Sequence, residues 1–387
     1  MLNSDFDYVI VGGGLQGCLL LAALAHYQSD ARVLLVEPQD VLCGNHTWSF
    51  HQSDLDASAS RWFSSLVNHR WDHYRVRFDG LSKAVPISYG SILSDRLANR
   101  TEATIKRADN FERLQQNAVE VFDDQVLLED GRRITGRAVL DCRGIDRKSI
   151  PTGCGYQKFL GLEVELMDDW DSPVPCLMDC CVEQSDGFRF FYTLPFSKRV
   201  VLIEETRFSN SAELNCEEFE LAIQQYLAER GFEKFHVRRR ESGVLPMPYQ
   251  RSQKNGALAL GYRGGYFHAA TGYSIPLAAN IADALARVSA SEAINVTEKF
   301  LKKHRFQATF SLWLNRMLFQ LIRPEKRVGI FKRFYRQMPT GLIRRFYGHQ
   351  FSGADAVRMI VGRPPSGLTP LRFLNSFWEK PCPNFRT

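Results

Sequence analysis

No run of 18 uninterrupted apolar residues occurs in the 387-residue chain, so no membrane-crossing helix is expected. Acidic residues almost vanish between Lys299 and Gln350, where 13 Lys and Arg face one acid, Glu325. Such a polarised segment excludes a uniformly mixed surface and points to an anionic partner. No recognised nucleic-acid motif accompanies it, so nucleic acid is not the expected partner. Internal repeats and low-complexity tracts are missing, which excludes a solenoid. The nine cysteines are scattered. Their tightest cluster, Cys176, Cys180 and Cys181, has no second ligand pair at regular spacing and no nearby histidine, so no metal site is expected. Acidic and polar residues, rather than a signal-peptide pattern, lead into the apolar run Tyr8–Val11, and reduced thiols in a cytoplasmic protein are expected.

What is present begins with a βαβ unit. Residues 7–11 read as a buried strand, Gly12-Gly13-Gly14-Leu15-Gln16-Gly17 as a turn, Cys18 to Ala25 as an apolar helix, and Arg32 to Glu37 as a second buried strand. A lone GxGxxG is weak, but here it follows a strand, opens a helix, and an acid ends the next strand. Gly12 allows the tight turn, Gly14 lets the backbone approach a pyrophosphate, and Gly17 lets the helix pack on the strand. Gly13 and Leu15 add backbone N–H groups at the helix N-terminus. Glu37 is placed to accept from adenosine ribose hydroxyls, and its charge disfavours a 2′-phosphate.

Further strands are expected at 119–122 and 126–129, with an Asp130-Gly131 hairpin signal, and at 138–140. From about residue 151 the texture becomes antiparallel β: residues 160–166 alternate, and 188–194 and 200–208 follow as strands joined by the loop Pro195–Arg199. A helix is expected over 217–230. A buried strand returns at 257–261, and Gly272-Tyr273-Ser274-Ile275-Pro276 opens a helix over 277–288. This discontinuous layout resembles the flavin-binding fold of the aromatic hydroxylases. The resemblance implies FAD rather than NAD, with Gly272 and Tyr273 among its contacts. The hydroxylases usually carry Gly-Asp in the last motif, whereas here Tyr262 follows Gly261.

The expected architecture is α/β: a Rossmann-like FAD-binding domain from residues 1–150 and 245–290, an inserted antiparallel β substrate domain at 151–244, and a basic helical tail at 291–387. In the tail, Phe310, Trp313, Leu314, Met317, Leu318 and Leu321 share one helix face, with arginines and lysines on or after it. That pattern suits an anionic membrane surface on the inner side of the cell membrane. A docked helix with a solvated basic face is the plainer alternative.

Several longer motifs narrow the chemistry. Cys43 to His51, Asp141-Cys142-Arg143-Gly144, Phe191 to Phe196, Ile203-Glu204-Glu205-Thr206-Arg207-Phe208 and Ala270 to Pro276 resemble the bacterial lycopene β-cyclases, in that family's order. The similarity runs from residue 6 to at least 290. It implies cyclisation of the linear ψ end groups of lycopene and related carotenoids to β-ionone rings, without net redox change. It also implies a flavin acting in its reduced form, with NAD(P)H as electron source. The first Glu of the acidic motif is the family's essential acid. Period-two alternation supports Glu204 independently. Val200, Leu202, Glu204, Thr206 and Phe208 share one strand face, while Glu205 lies on the other beside Arg207 and should pair with it. Glu204 is therefore the expected general acid and Glu205 a supporting residue. Trp48, Phe188, Phe190, Tyr192 and Tyr273 are candidate cation-facing aromatics. His46 and His268 read as structural, with proton shuttling the sharper alternative. A monooxygenase or prenyl-chain reductase of the same fold, or a non-catalytic carotenoid carrier, would lack the need for a poised acid. Product mass separates these readings.

Overall fold

The apolar run near the start forms the strand Phe6–Val11, whose last four residues are fully buried. In the computed structural model, which describes residues 5–145, 150, 154–247 and 257–362, this strand is central to a seven-stranded sheet. Val33–Val36 and Arg133–Asp141 flank it in parallel, and Phe111–Leu114 pairs beyond Val33–Val36. Leu258–Ala259 joins the far end of Arg133–Asp141, in parallel. The expected hairpin strands appear as Ala118–Val121 and Gln125–Leu128, folded antiparallel onto the same long strand. Helix Leu15–Tyr27 is apolar all round, as a helix covered on every side must be. It packs between Ser94–Arg107 and Ile275–Ala286.

A second seven-stranded sheet runs in the order Phe235–Met247, Gly155–Leu166, Val200–Ser209, Phe188–Pro195, Cys176–Asp179, Tyr74–Phe78, Leu81–Val85. Its two faces are both buried, against different partners. Leu160, Leu162, Val201 and Ile203 pack under helix Cys216–Ala228, which is capped by Asn215 accepting from the Glu218 N–H at 3.3 Å. Phe188, Phe190, Leu202 and Phe208 face the C-terminal helices. A small third sheet is formed by Thr47–His51, Tyr89–Leu93 and His69–Trp71, with Tyr89–Leu93 in the middle.

The expected domain boundaries shift in three places. Residues 74–85, assigned to the nucleotide unit by position, instead complete the second sheet, because Tyr74–Phe78 pairs in parallel with Cys176–Asp179 a hundred residues away. Strand Phe235–Met247 carries the substrate sheet past residue 244, and residues 248–256 of the expected second nucleotide segment lie outside the described residues. The tail is not a separate unit. Helix Arg305–Arg316 widens into a π turn at Met317–Leu321, and the side chains the helix buries are Ser311 and Asn315. Leu318 and Leu321 of the turn are buried. Phe310, Trp313, Leu314 and Met317 are half-buried and line a cavity of about 720 Å³ together with Phe331, Phe334 and Phe346 from helices Arg327–Gln337 and Thr340–Tyr347. The expected apolar stripe thus borders an apolar cavity, with Leu318 and Leu321 packed into the fold beyond it. Residues 363–387 of the expected tail lie outside the described residues.

One buried cation ties the tail to the second sheet. Arg327 is fully buried and donates from Nε to the Leu318 carbonyl at 3.0 Å, from Nη1 to the Phe208 carbonyl at 2.8 Å, and from Nη2 to Asn210 Oδ1 at 2.7 Å and the Phe319 carbonyl at 3.2 Å. Burial lowers its pKa to about 10. Arg327→Lys keeps the charge but cannot reach all four acceptors. It should destabilise the fold by about 2–3 kcal/mol, read by chemical denaturation.

Candidate functional site

The glycine turn takes its shape from close backbone approaches. Gly12 has φ 108°, and a Cβ there would sit 2.8 Å from the Arg143 backbone nitrogen. A Cβ on Gly17 would overlap the Gly12 carbonyl oxygen, so the helix could not start where it does with any larger residue. Around a Cβ on Gly14 there is open space. Helix Leu15–Tyr27 has no side-chain cap and no acid in its first turn, which leaves its leading N–H groups for an anion. Glu37 ends the second strand with Oε2 accepting from the Gly13 N–H at 2.7 Å and Oε1 accepting from the Gln39 N–H at 2.9 Å. The buried carbonyl oxygens Gln16 Oε1 and Gln157 Oε1 have no hydrogen-bond partner, and Gly272, at φ 73°, lies directly against the second. A turn with free donors, an anchored acid and unpaired amide oxygens fits a dinucleotide carrying both phosphates and hydrogen-bond donors.

A cavity of about 710 Å³ is lined by this turn, by Glu37, by Gly272 and Tyr273, and by Glu204 from the second sheet. Glu204 lies on strand Val200–Ser209, paired with Tyr192 on one side and Gly161 on the other. Its Oε1 accepts from the Thr206 hydroxyl at 2.6 Å. No cation pairs with it among the described residues. Loss of water, reinforced by the Glu241 carboxyl, pushes its pKa up to about 8, against the Thr206 hydrogen bond. Glu241 faces Gly161 from the neighbouring strand Phe235–Met247, so the two carboxyls flank a position with no side chain. Burial raises the pKa of Glu241, while Arg239 at 2.6 Å and the Thr47 hydroxyl at 2.9 Å oppose that rise.

Glu205 is placed on the opposite face and does not reach the cavity. It is fully buried, and its Oε1 accepts from Arg189 Nε and Arg207 Nε, both at 2.7 Å. The expected Arg207 partner is present; Arg189, two strand positions from Phe191 on the neighbouring strand, is a second that sequence reading missed. Of the expected aromatics, Trp48, Phe190, Tyr192 and Tyr273 line the cavity. Phe188 does not; it stacks on Phe331 at 4.0 Å, holding helix Arg327–Gln337 against the sheet. His46 lines the cavity, its pKa lowered by burial and by Arg239. His268 lies away from it, fully buried, with Nε2 3.1 Å from the Phe346 carbonyl and a pKa pulled down to about 3 by burial.

Sequence reading also missed a histidine–aspartate pair in the cavity wall. His51 ends the strand Thr47–His51, and a short 3₁₀ turn brings Asp54 back so that Oδ2 lies 3.1 Å from His51 Nδ1. The Tyr273 hydroxyl donates to the same carboxylate at 3.1 Å and accepts from the His51 N–H at 2.8 Å. The i, i+3 spacing was the one available signal. Tyr89 and Tyr347, also in the wall, come from elements whose placement depends on long-range pairing.

Comparisons with known proteins agree with this geometry. The family described as "Lycopene cyclase protein" matches residues 7–372. The lycopene beta-cyclase of Pseudescherichia vulneris is 35% identical over 371 residues, spanning 94% of this chain and 95% of that one. That of a Paracoccus strain is 35% identical over 381 residues, spanning 95% and 97%. Among solved structures, a geranylgeranyl bacteriochlorophyll reductase-like protein from Thermoplasma acidophilum superposes with a TM-score of 0.66 at 14% identity, covering 95% of this chain and 99% of that one. The p-nitrophenol 4-monooxygenase PnpA from Pseudomonas putida gives 0.61 at 12% identity, covering 90% and 99%. These two likenesses concern the fold.

The turn makes a direct prediction. Gly17→Ala forces the helix away from the Gly12 carbonyl, so the purified variant should lack bound dinucleotide, checked by absorbance and by release on heat denaturation.

Proposed function

The chain belongs to the lycopene cyclase family, and on that premise we propose that Glu204 is the acid with which it converts lycopene ψ end groups to β-ionone rings, yielding β-carotene through γ-carotene. The carrying observation is a cavity-facing carboxyl, without a cationic partner, whose pKa is pushed up to about 8. At neutral pH it keeps its proton, and an apolar surround keeps water from capturing the cation that protonation of an alkene would form. Glu205 contributes by structure: neutralised by Arg189 and Arg207, it fixes the strand that aims Glu204 the other way.

The cavity residues fit FAD. Gly12, Gly14 and the N-terminus of helix Leu15–Tyr27 would hold the pyrophosphate, with Gly13 and Leu15 supplying backbone contacts. Glu37 would hold the adenosine ribose, and Gly272 and Tyr273 would lie toward the flavin. When bound and reduced by NAD(P)H, the cofactor supplies a negatively charged ring that stabilises a carbocation. The N-terminus of helix Ile275–Ala286, with no acid in its first turn, would favour that charge. Tyr192, Phe190 and Trp48 offer π faces to the cationic substrate and exclude water.

A hydrocarbon substrate also has to reach the site from a lipid phase. No helix among the described residues is long and apolar enough to cross a membrane. Exposed Phe306, Val357, Ile360 and Val361 on the basic C-terminal helices support a peripheral seat on an anionic bilayer. Co-sedimentation with anionic liposomes should be strong at low salt and weaken as salt rises. Binding independent of both lipid charge and salt would count against this seat.

Glu204→Gln should retain the flavin and lose cyclisation by about two orders of magnitude or more. In the wild type, the rate should hold steady below about pH 8 and then fall about tenfold per pH unit as Glu204 ionises. Pigment analysis in lycopene-accumulating cells and initial rates on liposomal lycopene check both. Near wild-type cyclisation by the Gln variant would sink the assignment.

A further inference from the structure

Ring formation that begins by adding a proton must end by removing one, and Glu204 has just given its own away. The proposed reaction therefore needs a base in the same cavity and a route for the proton back to Glu204. Among the described residues, one group in the cavity wall is built for the first task. His51 is 2% exposed, and its Nε2 is buried without any hydrogen-bond partner. Its other ring nitrogen faces the Asp54 carboxylate at 3.1 Å. An ionised carboxylate only accepts, so Nδ1 carries the hydrogen and Nε2 presents a lone pair. Asp54 is itself fixed by the Tyr273 hydroxyl, which also accepts from the His51 backbone. The imidazole sits among the rings of Tyr74, Tyr89, Tyr273 and Tyr347, with centroids 5.1 to 5.9 Å away. An imidazolium formed there is paired with Asp54 and surrounded by π faces.

Tyr89 and Tyr192 lie between His51 and Glu204, and only their contact with each other is a hydrogen bond. His51 is the cross-strand neighbour of Tyr89. Glu204 is the cross-strand neighbour of Tyr192. The hydroxyls of Tyr89 and Tyr192 are 3.0 Å apart, a hydrogen bond that joins the small sheet to the large one.

We propose that His51, oriented by Asp54, is the base that removes the ring proton. This rests on the cyclase reading of the site. The Glu204 carboxyl gives its proton to the terminal double bond, leaving a tertiary cation. The electron pair of the internal double bond forms the ring bond and moves the cation onto the adjacent ring carbon. The C–H bond at ring carbon six then breaks; its electrons form the ring double bond and its proton goes to His51 Nε2. Between turnovers the imidazolium releases its proton to solvent at the cavity, and the Glu204 carboxylate takes one back. One proton enters and one leaves, no electrons are exchanged, and both residues end in their starting state. Catalysis by His51 is direct; Asp54 is a positioning residue.

The test uses the reduced, flavin-loaded enzyme and lycopene in liposomes. His51→Gln should slow formation of β-rings by about a hundredfold. The rings that do form should have lost a proton from the neighbouring methylene or methyl group instead, giving ε-type or exocyclic double bonds, identified by chromatography and NMR. A merely structural histidine would lower yield without moving the double bond. His51→Gln making β-rings within about twofold of the wild-type rate overturns the proposal. If that variant fails to fold or to hold flavin, Asp54→Asn decides. It should slow β-ring formation roughly tenfold and raise the share of rings with a displaced double bond; an unchanged rate with unchanged products overturns the proposal. A wild type that forms no rings at all refutes the cyclase reading itself, a result distinct from either variant outcome.

Discussion

A pleated strand sends adjacent side chains to opposite faces, so Glu204 and Glu205 cannot share an environment. The rest of the site follows from that separation. Glu205 falls on the face covered by helix Cys216–Ala228, where it is buried with two guanidiniums at 2.7 Å. Glu204 falls on the cavity face, where the nearest charged group that affects it is another carboxyl. Reversing the register by one residue would exchange the two, putting the carboxylate flanked by arginines into the cavity. The ten-residue antiparallel pairing between Gly155–Leu166 and Val200–Ser209 prevents such a slip, as each sheet face has its own apolar partners to bury.

The cavity wall is assembled from three distant parts of the chain. The parallel sheet supplies the phosphate end through the Gly12–Gly17 turn. The small sheet supplies Trp48, His51 and Tyr89. The C-terminal helices supply Phe331 and Tyr347, which line both this cavity and the apolar one behind it. The second cavity is continuous in chemistry with the first, since its wall is mostly aromatic and aliphatic. Arg327 holds that helical layer in place by donating to carbonyls of both the sheet and the π turn. Burying a guanidinium without a carboxylate is costly, and four acceptors are what make it tolerable.

The fold itself is shared with proteins titled as reductases, monooxygenases and halogenases, at TM-scores of 0.57 to 0.66. Fold therefore does not separate ring closure from reduction or oxygenation; the side chains in the cavity do. A raised carboxyl with no cation beside it, facing a wall of tyrosines and a histidine with an open lone pair, is suited to moving protons. Family membership, resting on 35% identity across nearly the whole chain, carries the conclusion that the fold alone could not.

Local sequence was enough for whatever depends on neighbours a few residues apart. The βαβ turn, the alternation that divides Glu204 from Glu205, the Arg207 partner and the strands Gly155–Leu166, Phe188–Pro195 and Val200–Ser209 are of this kind, because backbone geometry sets them with periods of two or 3.6 residues. Tertiary structure decided what depends on pairing between distant strands. Tyr74–Phe78 joins the second sheet through Cys176–Asp179, Glu241 comes to face Glu204 only because both strands flank Gly161, and Tyr89 meets Tyr192 across two sheets. The direction of the tail was likewise undecided locally. An apolar helix stripe carries the same periodicity whether it rests on a bilayer or on a sheet, and only the apolar surface it meets distinguishes the two.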